Sequence, residues 1–144
     1  MCSQDDIIIN NSDFRIIEET DNFILGYLWE YSYIYDKRSR TEHFLCEFYG
    51  VCDCGVINDK EEWCVVGGDI IAVWKNNQVT IIDRAELAWV NDIRMKSTGV
   101  VELLIDPWSE KSAIYELDIE SLTISKIADF TAYKNKPYCE KVKW

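Results

Sequence analysis

The sequence has one histidine, two prolines and no long apolar run. Any mechanism that needs a histidine base or ligand must therefore use His43. There is no G-x-S-x-G nucleophile motif, and Gly67 and Gly68 lack the lysine and the serine or threonine of a phosphate-binding loop. No apolar run approaches the roughly 20 residues of a membrane span. We therefore expect a protein that is not an enzyme and does not span a membrane.

The first residues also lack the pattern of a secretion signal. The segment from Met1 to Asp6 is acidic and polar, and the three isoleucines after it are too short for the apolar core of a signal peptide. A compartment that forms disulfides is therefore not expected, and the six cysteines are predicted to be free thiols. The resulting prediction is a single domain, residues 1–144, in the cytoplasm.

One cluster has the residue types of a zinc site: His43, Cys46, Cys52 and Cys54. Its spacing, H-x2-C-x5-C-x-C, does not match the paired C-x2-C motifs of structural zinc sites. A strand over residues 41–49 would also place His43 and Cys46 on opposite faces, with Cys46 beside Phe44 and Phe48. The sequence therefore predicts no metal and no cofactor.

Basic residues are few in the first half of the chain. The whole sequence has 26 acidic and 15 basic residues, a net charge of −11, and its first 70 residues hold fifteen of the acids and five of the bases. Such a field repels phosphate backbones, so direct nucleic-acid binding is not expected, and it attracts basic proteins. An acidic surface also keeps a protein soluble. Composition alone does not separate these two roles.

The clearest run of strands lies within residues 61–83. It predicts strands over residues 63–66, 70–74 and 78–82. Gly67 and Gly68 predict a hairpin turn with positive φ at both positions, and the asparagine pair at 76–77 predicts a second turn. Because successive residues of these strands are apolar, we expect a central sheet that is covered on both faces.

Aromatic residues alternate with other residues over 23–36, which predicts one strand. Five of them would share one face: Tyr27, Trp29, Tyr31, Tyr33 and Tyr35. Residues 41–49 alternate in the same way and would complete a β-hairpin with this strand. The aromatic face either packs on the core or is exposed to a partner.

The second half of the chain continues the strand pattern after one helix candidate. Residues 83–96 predict a helix, although the segment ELAWV within it also fits a strand. Strands are predicted over residues 100–105, 113–119 and 122–127, and the last two resemble the outer hairpin of a propeller blade. The predicted fold class is mainly β, as an antiparallel sheet, a sandwich or propeller-like hairpins with one or two short helices. An α+β fold is the alternative.

The stretch EEWCVVGGDIIAVW at residues 61–74, together with the aromatic segment 23–36, resembles the immunity proteins of bacterial polymorphic-toxin and contact-dependent growth inhibition systems. The resemblance is one of general character and carries no residue roles. It implies a binding protein that neutralises a cognate toxin domain, often a basic nuclease, by covering it with an acidic face. The alternative function is a sensor domain that binds a small molecule or sugar on its tryptophan and tyrosine face.

Binding hot spots combine an aromatic anchor with charges at its edge. This rule selects three places in the sequence as partner-binding sites: Trp29 with Glu30, Glu61 and Glu62 with Trp63, and Asp106 and Glu110 around Trp108. Glu61 and Glu62 precede a strand, so we expect both carboxylates to be solvated.

Overall fold

The computed structural model describes residues 8–50 and 52–144, and the fold is mainly β, as predicted. Within these residues, twelve strands follow one another: β1 Arg15–Glu19, β2 Phe23–Leu28, β3 Tyr31–Asp36, β4 Thr41–Glu47, β5 Cys54–Ile57, β6 Trp63–Gly67, β7 Ile71–Lys75, β8 Gln78–Ile82, β9 Val90–Ser97, β10 Val100–Ile105, β11 Ala113–Asp118 and β12 Ile124–Asp129. The helical segments among the described residues are two 3-10 turns, Ile8–Asn10 and Ala85–Leu87. Neither is long or apolar enough to cross a membrane.

The strands form three antiparallel sheets of four, each a simple meander in sequence order. We call them sheet 1 (β1–β4), sheet 2 (β5–β8) and sheet 3 (β9–β12). The first strands of the three sheets lie side by side, with β1 against β5 and β5 against β9. This is how successive blades of a β-propeller are arranged, with β4, β8 and β12 at the outer rim. The predicted outer hairpin of a blade is β11–β12 of sheet 3.

Sheet 2 lies between the other two sheets, which confirms that it is covered on both faces. Side chains of β6 and β7 alternate between two apolar clusters. One face packs on sheet 3 through Trp63, Val65, Ile71 and Val73. The other face packs on sheet 1 through Cys64, Val66, Ala72 and Trp74. Two buried faces explain why these strands have continuous apolar sequences.

Chain segments cover the outer faces of sheets 1 and 3. The ring of Phe14 lies directly over Gly26 in sheet 1, where a Cβ atom would clash with it. At the other end, Trp144 reaches back to sheet 3, and its indole N–H donates a hydrogen bond to Asp92 Oδ2 at 2.9 Å. The guanidinium of Arg94 lies 3.8 Å from the Trp144 ring centroid. The outer sheets therefore each have one partly covered face.

The predicted helix over residues 83–96 is wrong. Only Ala85–Leu87 is helical, as a 3-10 turn, and the chain enters β9 at Val90 after Trp89, which has φ 63°. Leu87, Val90 and Ile93 are buried as the helical spacing suggested, but they are buried between sheets 2 and 3. Pairing with β10 makes residues 90–97 a strand where the local pattern predicted a helix.

The predicted single strand over 23–36 is also wrong, because the chain turns at Trp29 and Glu30 and forms β2 and β3. Because of this turn, the aromatic side chains before and after it lie on different faces of sheet 1. Tyr27 pairs with Ser32, whereas Tyr31 pairs with Leu28. Tyr27 therefore lies on the opposite face from the three tyrosines of β3. The predicted hairpin with residues 41–49 is present as β3–β4.

A β-bulge in the β3–β4 ladder changes which side of the sheet several β4 side chains point to. The register shifts between Ser32 and Tyr33, so Leu45 and Cys46 are both buried while Phe44 points outward. The bulge also returns His43 to the face of Cys46, where its ring lies 5.8 Å from Trp74. The predicted grouping of Phe44 with Cys46 is wrong, because an extra residue inverts the alternation beyond it.

The prediction of positive φ at the first turn of sheet 2 is wrong, and the two glycines there have a different role. Neither Gly67 nor Gly68 has a positive φ, and Gly67 belongs to β6. A Cβ atom on Gly67 would lie 3.0 Å from Val90 Cβ, and one on Gly68 would lie 2.8 Å from Phe48 Cδ1. These glycines allow close packing between sheets. The second turn is confirmed: Asn76 and its neighbour have φ 54° and 58°.

Candidate functional site

One end of the molecule brings turns from all three sheets together. Backbone hydrogen bonds connect these turns in sequence: Phe48 N–H to Glu30 O at 2.8 Å, Val90 N–H to Gly68 O at 2.8 Å and Asp106 N–H to Trp89 O at 3.0 Å. The Tyr49 amide also donates to Asp69 Oδ1 at 3.0 Å. We call this surface the loop face and define it as residues 29–30, 47–50, 52–53, 68–70, 88–89 and 106.

Three large aromatic side chains project from the loop face. Trp29 is 55% exposed, Tyr49 is 81% exposed and Trp89 is 51% exposed. Both tryptophans have a left-handed backbone, with φ 55° and 63°. A non-glycine residue there costs about 1–2 kcal/mol. The fold thus holds two exposed tryptophans in strained conformations, a combination that marks a candidate binding surface.

The loop face carries acidic residues and no lysine or arginine. Its acids are Glu30, Glu47, Asp53, Asp69 and Asp106. An open cleft of about 700 Å³ lies among the turns of sheets 1 and 2 and is lined by Glu30, Glu47, Phe48, Tyr49, Gly50 and Asp69. Carboxylates around an aromatic cleft favour a cationic ligand through charge pairing and cation–π contacts.

Aromatic side chains extend the loop face over the outer surface of β3 and β4. The ring of Phe44 lies 6.2 Å from Tyr31 and 5.7 Å from Tyr33, and Phe44 is exposed. Tyr31 pairs with Glu47, whose carboxylate raises the pKa of the Tyr31 phenol. The aromatic surface of sheet 1 is therefore continuous with the acids of the loop face.

The opposite end of the molecule carries charges of both signs. Its β3–β4 turn contains Lys37, Arg38 and Arg40, whereas its β5–β6 turn contains three acids and Lys60. The residues of the loop face include five acids and no base, so a basic partner would be oriented toward it.

Glu61 lies at this opposite end and is only partly accessible, so its carboxylate is not simply solvated, contrary to the prediction. Its carboxylate accepts hydrogen bonds from Thr20 Oγ1 at 2.5 Å, from the Asn22 amide at 2.9 Å and from Asn22 Nδ2 at 2.7 Å. The Thr20 hydroxyl contributes most to lowering the pKa of Glu61. This residue joins the β5–β6 turn of sheet 2 to the β1–β2 turn of sheet 1, so its role is structural.

The neighbours of Glu61 divide between surface and core. Glu62 is exposed, as expected. Trp63 is only 5% exposed and packs between sheets 2 and 3, so it is not available to a partner in the folded protein. The predicted group around Trp63 therefore does not form one binding surface.

The third predicted group lies partly on the loop face. Asp106 belongs to it, whereas Trp108 is half-buried with its ring 4.9 Å from Tyr138. Glu110 is exposed and pairs with Lys134 at 2.7 Å. The structure thus places Trp29, Glu30 and Asp106 at the same end of the molecule. Sequence reasoning missed Tyr49, Asp69 and Trp89, whose proximity depends on the packing of the sheets.

The described cysteines are free thiols, and four of them are buried: Cys46, Cys52, Cys54 and Cys64. Cys52 and Cys54 both donate to the Gly67 carbonyl oxygen, at 2.6 and 3.1 Å. Burial raises the pKa of Cys46 to about 11, and the Cys52 contact together with burial raises that of Cys54. Such thiols are poor nucleophiles at neutral pH. Within residues 8–50 and 52–144, no cluster of three or more potential ligands could hold a metal.

Comparison with known proteins gives a fold and no family. No family model matches the chain, and no curated protein matches it significantly. Among solved structures, hydrazine synthase of Kuenenia stuttgartiensis is similar with a TM-score of 0.58 and 10% identity, over 78% of this chain and 35% of that one. The tricorn protease is similar with a TM-score of 0.55 and 17% identity, over 78% of this chain and 13% of that one. The chain spans a minor part of either structure.

Proposed function

We propose that this protein is a binding module that recognises a basic protein through its loop face. The observation that carries the proposal is the pair of exposed tryptophans, Trp29 and Trp89, held in left-handed backbone conformations among five carboxylates. Aromatic anchors at the centre of an interface supply most of its binding energy, and charges around them orient the partner. The protein acts by covering its partner and not by catalysis.

The partner class follows from the resemblance to immunity proteins. A toxin domain that acts on nucleic acid carries a basic substrate-binding surface. An acidic and aromatic face would compete for that surface and keep phosphate backbones away from it. We therefore propose that the partner is a cognate toxin domain, for example a nuclease, and that the protein neutralises it in the cytoplasm.

The first experiment maps the binding surface on a partner recovered from the source cells with the wild-type protein as bait. Trp29→Gly and Trp89→Gly remove the anchors, and glycine accepts the left-handed backbone without strain. We expect each to weaken binding at least tenfold. Tyr138→Ala is the matched control, since Tyr138 is 74% exposed but lies outside the loop face. Equal losses in all three variants would contradict the proposed surface.

A second experiment tests neutralisation. The recovered partner is produced in a bacterial host with or without this protein, and growth is followed. We expect the partner to arrest growth, the wild-type protein to restore it and the Trp29→Gly variant to restore it poorly. A partner that binds at the loop face but harms no cell would exclude the toxin class while leaving the binding module intact. Binding of sugars instead of a protein would support the sensor alternative.

A further inference from the structure

The free edge of β8 is unlike the other two outer edges. The three strands at the outer rim are β4, β8 and β12, and among the described residues each has one neighbour in its sheet. β4 contains two glutamates and a histidine, and β12 contains Lys126 and Asp129. β8 reads QVTII and has no charge, although Val79 and Ile81 are exposed. Edge strands are normally protected from pairing by charged residues, and β8 has none.

The register of β8 shows which of its backbone groups face outward. The two-residue turn at 76–77 joins Lys75 to Gln78, the pair that closes the hairpin. In an antiparallel ladder, alternate residues bond to the same neighbour. Gln78, Thr80 and Ile82 therefore bond to β7, and the N–H and C=O groups of Val79 and Ile81 point to the free edge. The two exposed apolar residues are thus the ones with unpaired backbone groups.

We propose that a second copy of this chain pairs with β8 through an antiparallel two-fold contact centred on Thr80. Val79 then lies opposite Ile81 of the second copy, and Ile81 lies opposite Val79 of the second copy. Each of these two pairs forms two backbone hydrogen bonds, which gives four in total. Their apolar side chains meet on one face of the joined sheet. On the other face, Thr80 meets Thr80 of the second copy, a favourable cross-strand pair.

The sequence of β8 favours a second copy of this chain over a strand of another protein. In an antiparallel pairing centred on Thr80, Val79 of each copy lies opposite Ile81 of the other. The same register places Asp83 opposite Asn77 of the second copy, so no acid faces an acid along the strand. The net charge of −11 on each copy opposes association, and salt screens this repulsion. The dimer should therefore strengthen as the salt concentration rises, unlike binding to a basic partner. This contact does not depend on the proposed function.

Sedimentation velocity over a range of protein and salt concentrations tests the contact. We expect a monomer–dimer equilibrium that shifts to dimer at high salt. Ile81→Lys places a charge on the free edge and should leave a monomer throughout. Ile127→Lys is the matched control, because both isoleucines are 46% exposed on outer edge strands. A wild-type protein that stays monomeric, or a dimer that survives Ile81→Lys, would overturn the proposal.

A cross-link tests the register independently. Thr80→Cys is made in a variant with serine at positions 2 and 139 and treated with diamide. Across the two-fold axis the two Thr80 Cα atoms would lie about 4.5 Å apart, within disulfide range. We expect a covalent dimer. Gln78→Cys should give none, because its own copy lies four residues along the partner strand, about 13 Å away. Equal cross-linking at both positions would contradict the two-fold register.

Discussion

Removal of the Glu61 carboxylate should destabilise the protein. This side chain accepts three hydrogen bonds from Thr20 and Asn22, which lie in the turn between β1 and β2. Glu61→Ala leaves those donors without their acceptor and removes one of the links between sheets 1 and 2 at this end. The backbone of Glu61 has φ 59° in the wild type, and alanine there has a similar strain. The loss of stability therefore reports on the carboxylate.

The magnitude follows from the kind of hydrogen bond. A hydrogen bond to a charged group contributes about 1.5–3 kcal/mol when it is shielded from water. Glu61 is partly accessible, so water replaces some of what is lost and we expect about 2 kcal/mol for the three bonds together. For a domain of this size, 1 kcal/mol corresponds to about 4 °C in Tm. The expected decrease is therefore about 8 °C at neutral pH.

The effect should depend on pH in one direction. Hydrogen bonding lowers the folded-state pKa of Glu61 below its ordinary value of 4.5. A lowered pKa stabilises the folded state fully above the unfolded-state value, and this contribution is lost as the pH falls through the folded-state value. The difference between the wild type and Glu61→Ala should thus be constant from pH 7 to about pH 5 and should shrink below pH 4.5.

Urea denaturation at several pH values, followed by tryptophan fluorescence, measures this difference. Glu62→Ala is the matched control: it is the next residue, it is exposed, and it removes the same charge. We expect the control to unfold within about 0.5 kcal/mol of the wild type. Equal stability of Glu61→Ala and the wild type, or a difference that does not change between pH 7 and pH 3, would refute the proposed role of the carboxylate.

Three further outcomes are expected. Gly67→Val should destabilise by about 1–3 kcal/mol in urea denaturation, because its side chain would collide with Val90; full stability would mean that sheets 2 and 3 can separate there. Trp29→Gly should leave stability unchanged or raise it by up to about 1 kcal/mol, since strain relief offsets the flexibility of glycine; a large loss of stability would show that the tryptophan is structural. In a Cys2→Ser variant, a thiol reagent should label Cys139 quickly and the buried cysteines only on unfolding; rapid labelling of Cys64, whose pKa burial raises, would contradict the core.

Much of the strand arrangement could be predicted from the sequence. The strands over 78–82 and 100–105 have the predicted bounds, and the apolar run in β6 and β7 indicated a sheet covered on both faces. These predictions depend on local alternation and on burial, which the residue types express directly. The turn at Asn76 was predictable for the same reason, since asparagine tolerates the left-handed backbone.

The errors arose where pairing or packing outweighed the local pattern. Leu87, Val90 and Ile93 have helical spacing, but the same three residues can also be buried by a 3-10 turn that leads into a strand. The turn at Trp29 had no signal, because tryptophan is rare in a left-handed turn position. The bulge that turns Phe44 outward depends on the register of two strands, which residue types alone do not specify.

The candidate site was predictable only in part. The rule that pairs an aromatic anchor with an acid selected Trp29 and Glu30 correctly as neighbours in one exposed turn. It also selected Trp63, which is core. It missed Tyr49 and Trp89, since residues 40 positions apart reach the same end of the molecule only through the packing of turns from different sheets. Long-range proximity of this kind has no local sequence signal.

Association kinetics with the partner recovered from the source cells tests the loop face most directly. Glu30→Lys with Asp53→Lys reverses two exposed acids on the loop face, and Asp59→Lys with Glu62→Lys makes the same charge change at the opposite end. Screening shortens from about 30 Å to about 10 Å between 0.01 and 0.1 M salt. We predict that salt slows association of the wild type and of the opposite-end variant alike. The loop-face variant should associate slowly at both salt concentrations. Equal rates for the two variants would contradict binding at the loop face.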